Sequence, residues 1–328
     1  MSLSLGCVPV DEHIMDLVAI TFQSVVILLG IGVFGFLIVQ RKIVAENALG
    51  ALSNLALDLA LPCLVFVNIV SHFSPQEIPD WWMLPLWWLV FTGLAALLTG
   101  MGMLASKKTT RREFAMSLFL YNGLFFPLAI LTGMFGASSP YLVSLFLFML
   151  FYPAFLFNIY PFFFGKNEKK IVWKRIFNIV FISTILALVI RFADVQSYVP
   201  EIVLTILTML GAMTVPLLML VIGGSLSLDF QRKGKIYSTE IAKFVLIKNL
   251  LFPLVMLGVL LVIRPSYQIG LLLILQSAVP PVTALPIFTK RVGGNESIVN
   301  QFLVASFIGS LVSIPLAISL FSLFFPFN

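Results

Sequence analysis

The sequence predicts an all-α membrane protein: ten transmembrane helices as two inverted five-helix repeats, with helices 4 and 9 broken and crossing at prolines. Three observations predict it: an apolar composition, basic residues on alternate connections between apolar runs, and a shared register between the two halves. Of 328 residues, 60% are hydrophobic and 10% charged, with 32 phenylalanines against 2 histidines. Soluble domains carry about 25% charged residues. Mean hydropathy is +1.08. A soluble enzyme, a disordered chain and a disulfide scaffold are excluded together.

Crossing about 30 Å of hydrocarbon takes roughly 20 apolar residues of helix. Apolar runs fall at 17–39, 49–71, 81–105, 113–135, 139–164, 171–192, 200–228, 239–263, 267–289 and 297–325. The connections after the odd-numbered runs hold 17 of the 20 basic residues, from Arg41 and Lys42 to Lys290 and Arg291. The opposite side has only Arg191 and Arg264, and Lys248 lies inside the eighth run. Positive charge gathers in cytoplasmic loops, so both termini are expected outside the cytoplasm. The net charge of +6 then reads as a topology signal, with no nucleic-acid partner. Cys7 precedes the first run and Cys63 lies in the second, so neither a disulfide nor a metal spacing is expected. The first sixteen residues carry Asp11, Glu12 and Asp16 but no Lys or Arg, which is unlike a cleavable leader.

The halves align at a constant offset of 154 residues, which lays LALPCLVF (59–66) over MTVPLLML (213–220). The same offset takes Pro62 to Pro216, Asn122 to Gln276 and Pro127 to Pro281. Five spans is an odd number, so the second copy, 166–328, must insert upside-down relative to the first, 1–165. Inverted repeats with paired, interrupted helices are a recurring plan of secondary transporters.

Helix 4 reads LYNGLFFPLAILTGMFG (120–136) and helix 9 reads LQSAVPPVTALPIFTKRVGG (275–294). Proline removes an amide donor and clashes with the preceding turn. Backbone groups freed at membrane depth must line a polar cavity or find protein partners. Half-helix N-termini also present a positive dipole end to an anion. Asn122, Gly123, Pro127, Gln276, Ser277, Pro280 and Pro281 are therefore the candidate substrate-binding residues, with Tyr121 and Thr283 close by. The structural alternative is a pair of kinked helices whose amides bond their neighbours.

Asp58 lies mid-run, one turn after Asn54 and one turn before Pro62. A carboxylate there costs at least ~2.5–3.5 kcal/mol, so Asp58 and Asn54 are candidates for coupling or gating. Lys248 is a candidate for drawing in an anionic substrate; it could instead pair with Asp58 or snorkel along its own stem. Trp81, Trp82, Trp87 and Trp88 read as an interfacial belt. His13 and His72 read as rim residues, and the phenylalanines of helices 4, 5 and 10 as lipid-facing. No HExxH occurs, and no paired carboxylates or histidine lie within the spans, so no enzyme, cofactor or metal site is expected.

VPPVTALPIFTKRVGGNESIVNQFLVASFIGSLVSIPLAIS (279–319) resembles the last two helices of the auxin efflux carrier (PIN-like) family. TVPLLMLVIGGSLSL (214–228) resembles its seventh helix, and Asn122, Pro127 and Phe135-Gly136 resemble its fourth-helix pattern. The resemblance spans nearly the whole chain. It implies a carrier distantly similar to bile acid–sodium symporters, in the inner cell membrane. Helices 1, 2, 6 and 7 would form a homodimeric scaffold, and helices 3–5 and 8–10 a mobile unit that slides like an elevator. The substrate would be a small organic anion, an auxin-like acid or a dicarboxylate such as malonate or malate, with H+ or Na+ as the coupling ion. A sodium-coupled bile-acid-type symporter and a membrane sensor on the same fold are the rival readings. Pro127 stands two residues early against the family pattern. The loop after helix 5, about 165–171, is far shorter than in plant plasma-membrane members.

Overall fold

A computed structural model describes residues 10–76, 78–165, 178–231 and 236–325. Cys7 and most of the loop after helix 5 lie outside the described residues, as does the side chain of His13. The described residues are helical and contain no strand. Five helical runs are long and apolar enough to cross a membrane: 47–72, 83–105, 201–228, 238–263 and 296–324. Five shorter apolar helices accompany them.

The first half of the chain holds α1 (Val10–Gln40), α2 (Glu46–Asn54), α3 (Leu61–His72), α4 (Met83–Gly102), α5 (Arg111–Phe119), α6 (Phe125–Phe135), α7 (Pro140–Phe148) and α8 (Tyr152–Ile159). The second holds α9 (Ile179–Phe192), α10 (Glu201–Ala212), α11 (Thr214–Gln231), α12 (Ser238–Val245), α13 (Phe252–Ile263), α14 (Tyr267–Ala278), α15 (Leu285–Arg291) and α16 (Glu296–Phe324).

Two of the long runs carry a π-helical turn. Leu55–Ala60 joins α2 to α3 and Leu246–Leu251 joins α12 to α13. Each ends just before a proline, Pro62 or Pro253. A proline ring collides with the carbonyl four residues back, here that of Asp58 or Asn249, and widening the helix relieves the collision. Asp58 and Lys248 both sit in these turns.

The helices pack in two groups, which meet where α1 lies against α6 and α16 and where α3 lies against α7. In one, α1 lies along α11, and α3 packs against α9 and α10. A Cβ on Gly223 would collide with the carbonyl oxygen of Gly32, so the backbones of α1 and α11 touch. Without a hydrophobic drive between helices in lipid, such small-residue contacts carry the packing. In the other group, α16 packs against α5, α12, α13, α14 and α15, and α4 against α5 and α7.

Two buried carboxylates stitch this second group across the halves. Glu240 on α12 accepts from Ser106 Oγ at 2.8 Å, Lys107 N at 3.2 Å and Thr110 Oγ1 at 3.3 Å. Glu113 on α5 accepts from the amide of Asn295, the residue that caps α16, at 2.9 Å.

Lipid-facing surface and core separate by helix. Residues 113–119 of α5, 142–148 of α7 and 270–278 of α14 are buried without interruption, as helices surrounded by protein must be. Large apolar side chains such as Phe34, Leu97, Ile202 and Val262 are exposed on α1, α4, α10 and α13. The phenylalanines of helices 4, 5 and 10 divide against the lipid-facing expectation: Phe114, Phe126, Phe148, Phe302 and Phe321 are core, whereas Phe151, Phe162 and Phe324 are exposed. Phe114, Phe244 and Phe302 meet with ring centroids 4.5–5.4 Å apart, which fixes α5 against α12 and α16.

Candidate functional site

The chain leaves α5 at Leu120 and re-enters helix only at Phe125; it leaves α14 at Val279 and re-enters at Leu285. The two breaks lie against each other. Asn122 N donates to Pro280 O at 2.8 Å, and Val282 N donates to Leu120 O at 3.0 Å. Tyr121 and Pro281 face each other as an isolated antiparallel bridge. In that pairing the central residue does not exchange hydrogen bonds, so Pro281 sits where a missing N–H costs nothing.

Two further freed acceptors are satisfied by side chains. Gln276 Nε2 donates to Gly123 O at 2.7 Å, and the Tyr152 hydroxyl donates to Tyr121 O. Gly123 must be a glycine: a Cβ would lie 2.6 Å from Gln276 Oε1 and 2.6 Å from the Met149 methyl, besides striking the Tyr121 ring.

Donors at the start of α6 are left over. The amides of Gly123 and Leu124 make no backbone hydrogen bond. Asn122 Nδ2 and Gln276 Oε1 are buried without partners, in side chains only 1% and 0% exposed. Most buried polar groups are paired; these two stand beside other unpaired buried atoms in the fold, among them Asn68 Oδ1, Thr92 Oγ1 and Ser117 Oγ.

Aromatic rings wall the crossing. Trp88 Nε1 donates to the Tyr121 hydroxyl at 3.1 Å. Phe91 meets the Tyr121 ring edge-on at 5.0 Å, and Tyr152 leans on it at 5.0 Å. Behind Tyr121 lies Lys248, 1% exposed, its Nζ 5.7 Å from the Tyr121 ring centroid and 4.8 Å from that of Phe252. No ion pair among the described residues involves Lys248. A small cleft of about 20 Å³ lies beside the crossing between α6–α8 and the start of α9, lined by Leu124, Met149, Tyr152, Asn178, Phe181 and Thr184 among others.

The expected site residues divide. Asn122, Gly123, Gln276, Ser277, Pro280 and Pro281 come together at the crossing and are buried. Ser277 bonds its own helix, at Ile274 O, 2.6 Å away. Pro127 lies inside the first turn of α6, past the break, where a proline's missing amide is harmless. Asp58 and Asn54 are exposed, on a π turn and helix packed beside α10 and α11. Among the described residues, no three His, Cys, Asp or Glu side chains converge to hold a metal. Cys63 is a free, buried thiol.

Trp88 and Tyr152 are additions. Trp88 reads as belt from its tryptophan-rich neighbourhood, yet it is 2% exposed. Its signal is periodic: Leu84, Trp88, Phe91, Ala95, Leu98 and Gly102 form the buried stripe of α4 at three- and four-residue steps. Tyr152 has no comparable signal in its own segment.

A fold of packed apolar helices around two interrupted ones, with five helical runs long and apolar enough to cross a bilayer, is that of a membrane protein. A family model described as membrane transport protein matches residues 20–171 and 161–318, and the chain belongs to that family, the auxin efflux carrier or PIN-like transporters. It is an integral membrane protein. Comparison with individual curated proteins gives no match.

Proposed function

We propose that the chain is a secondary carrier of a small organic anion, binding it at the crossing of α5/α6 with α14/α15. The observation that carries this is the unpaired Asn122 Nδ2 beside the free amides at the start of α6. Donors without acceptors, at the positive end of a half-helix, suit a carboxylate, which only accepts. Gln276 Oε1 takes a donor from the substrate body, such as a hydroxyl or ring N–H. Ser277, Pro280 and Pro281 shape the opposite wall, and Lys248 supplies one positive charge behind Tyr121. The small cleft beside Met149 and Tyr152, at the start of α9, would widen to admit the apolar body of the substrate.

In this reading the apolar runs are ten spans, in inverted repeats at 1–165 and 166–328, with both termini outside the cytoplasm. The group built on α1, α3, α9, α10 and α11 is the scaffold. The group stitched by Glu113 and Glu240 carries the crossing and slides past the scaffold as an elevator. The cleft lies at their boundary, where such sliding would open and close it. The carrier works in the inner cell membrane as a homodimer with H+ or Na+ as the coupling ion. Asp58, exposed at mid-span, belongs to the dimer face, because an ionisable side chain toward lipid is costly.

The test is counterflow and charge movement in proteoliposomes, offering aliphatic mono- and dicarboxylates and indole-3-acetate with and without sodium or a pH gradient. Saturable transport of one acid, lost in Asn122→Ala, is the expected result. Transport unaltered by Asn122→Ala would remove the site, and no transport or binding of any acid would remove the anion-carrier reading.

A further inference from the structure

We propose that Lys248 is the proton-carrying group of the transport cycle: its amine is neutral in the empty carrier, and one proton enters with each anion. This rests on the anion-carrier reading above and adds the coupling ion to it. Lys248 is the single buried cation among the described residues. Every buried carboxylate there is committed elsewhere: Glu240 to Ser106, Lys107, Thr110 and Lys243, and Glu113 to the Asn295 amide. A charged ammonium sealed in low dielectric needs an anion beside it. The faces of Tyr121 and Phe252, at 5.7 and 4.8 Å, offer only a quadrupole in its place.

The elements round the π turn hold nothing else that could set its charge. α4 and α13 contain no Asp, Glu, His, Lys, Arg or Tyr. α14 contributes Tyr267 at its first turn, α16 contributes Glu296 at its first turn, and α12 contributes Glu240 and Lys243, paired at 3.3 Å. Tyr121 faces it from the crossing itself, its hydroxyl bonded by Trp88 and its carbonyl by the Tyr152 hydroxyl. The missing counter-charge is therefore the substrate, held by Asn122, the residue next to Tyr121. On loading, a proton from the facing solution joins the Lys248 amine as the carboxylate arrives. On release at the other side, the carboxylate leaves and the proton follows it into water, so a monocarboxylate crosses without net charge.

The experiment is isothermal titration of the purified full-length protein with indole-3-acetate, malonate and malate under mildly alkaline conditions. Repeating it in buffers of different ionisation enthalpy counts the protons taken up per anion. The expected result is uptake close to one proton in the wild type, none in Lys248→Arg, which stays charged and still binds, and at least tenfold weaker binding in Lys248→Met. Anion binding without proton uptake by the wild type overturns the inference while leaving the carrier reading intact, and so does full uptake by Lys248→Arg. If none of the three acids binds, the anion-carrier reading falls and takes this inference with it. A wild-type count of zero overturns the inference even if both variants fail to fold.

Discussion

The amide of Asn122 donates to the carbonyl of Pro280 at 2.8 Å across 158 positions of sequence, tying one interrupted helix to the other at the point where each lacks its own hydrogen bonds. The reciprocal bond from Val282 to Leu120 makes the link a two-point clamp. The clamp uses backbone only, so the Asn122 side chain is not spent on the fold and its Nδ2 stays unpaired. Asn122→Ala should leave the clamp and the thermal stability nearly unchanged, while anion affinity drops about tenfold or more, the worth of a hydrogen bond to a charged group. Paired melting and binding measurements check this; a variant that loses stability in step with affinity would make Asn122 structural.

Gln276 should behave oppositely. Its Nε2 satisfies Gly123 O at 2.7 Å, so Gln276→Leu strands a buried carbonyl at a cost of about 1–3 kcal/mol. The expected outcome is a lower melting temperature in detergent as well as lost transport. Gln276→Glu cannot donate there while ionised and should rescue neither.

Gly123→Ala is the steric test of the crossing. The new methyl would press on Gln276 Oε1 and the Met149 methyl, both at 2.6 Å, and overpacking of that kind costs about 1–3 kcal/mol. Gly258→Ala is the control, because nothing lies within 4 Å of its Cβ and alanine favours the interior of α13. Transport should fail in the first and persist in the second, with the protein level in the membrane reported for both.

The break in helix 9 is readable in the sequence because proline acts locally: Pro280 and Pro281 forbid a continuous helix whatever surrounds them, whereas the break in helix 4 lies at 120–124, ahead of Pro127. Asn122, Gln276 and Gly123 follow from those breaks by adjacency. Trp88 and Tyr152 do not, since what makes them part of the site is contact with Tyr121, 33 and 31 positions away. The core phenylalanines escape for a related reason. In a membrane protein lipid and core are equally apolar, so hydropathy cannot tell Phe114, which is fully buried, from Phe34, which is 67% exposed. The exposure of Asp58 is hidden in the same way: a mid-span carboxylate announces a partner, but not whether that partner lies inside the chain or on a second copy.

Glu240 tests whether the group proposed to slide is one rigid piece. Its carboxylate gathers Ser106, Lys107 and Thr110 onto α12 and pairs with Lys243 one turn along the same helix, so Glu240→Ala releases the connection that follows α4 and leaves several donors unpaired. Stability should fall by about 1.5–3 kcal/mol, the range for hydrogen bonds to a charged group. Hydrogen exchange should rise at 106–110 and at the start of α12 but not along α1 or α11. A rise spread evenly over all the helices would mean that the two groups do not move as separate bodies.

Asp58 tests the dimer. Its π turn packs beside α10, whose outer face exposes Ile202, Ile206 and Met209, and Asn54 lies one turn earlier on the same exposed side. A polar residue of this kind on a membrane-facing surface contributes about 1–2 kcal/mol to helix association when it finds a partner. A two-fold interface sets equivalent residues near its axis opposite their own copies. In a background with Cys7 and Cys63 replaced by serine, Asn54→Cys should therefore oxidise to a disulfide-linked dimer in the membrane. Leu97→Cys, on the exposed face of α4 and assigned to the moving group, should stay monomeric under the same oxidant. Asp58→Leu should weaken dimerisation about tenfold in a dilution series in lipid while raising the stability of the isolated chain, since it removes a carboxylate from hydrocarbon. Crosslinking through Leu97→Cys instead, or dimerisation indifferent to Asp58→Leu, would move the interface elsewhere and return Asp58 to a role within one chain.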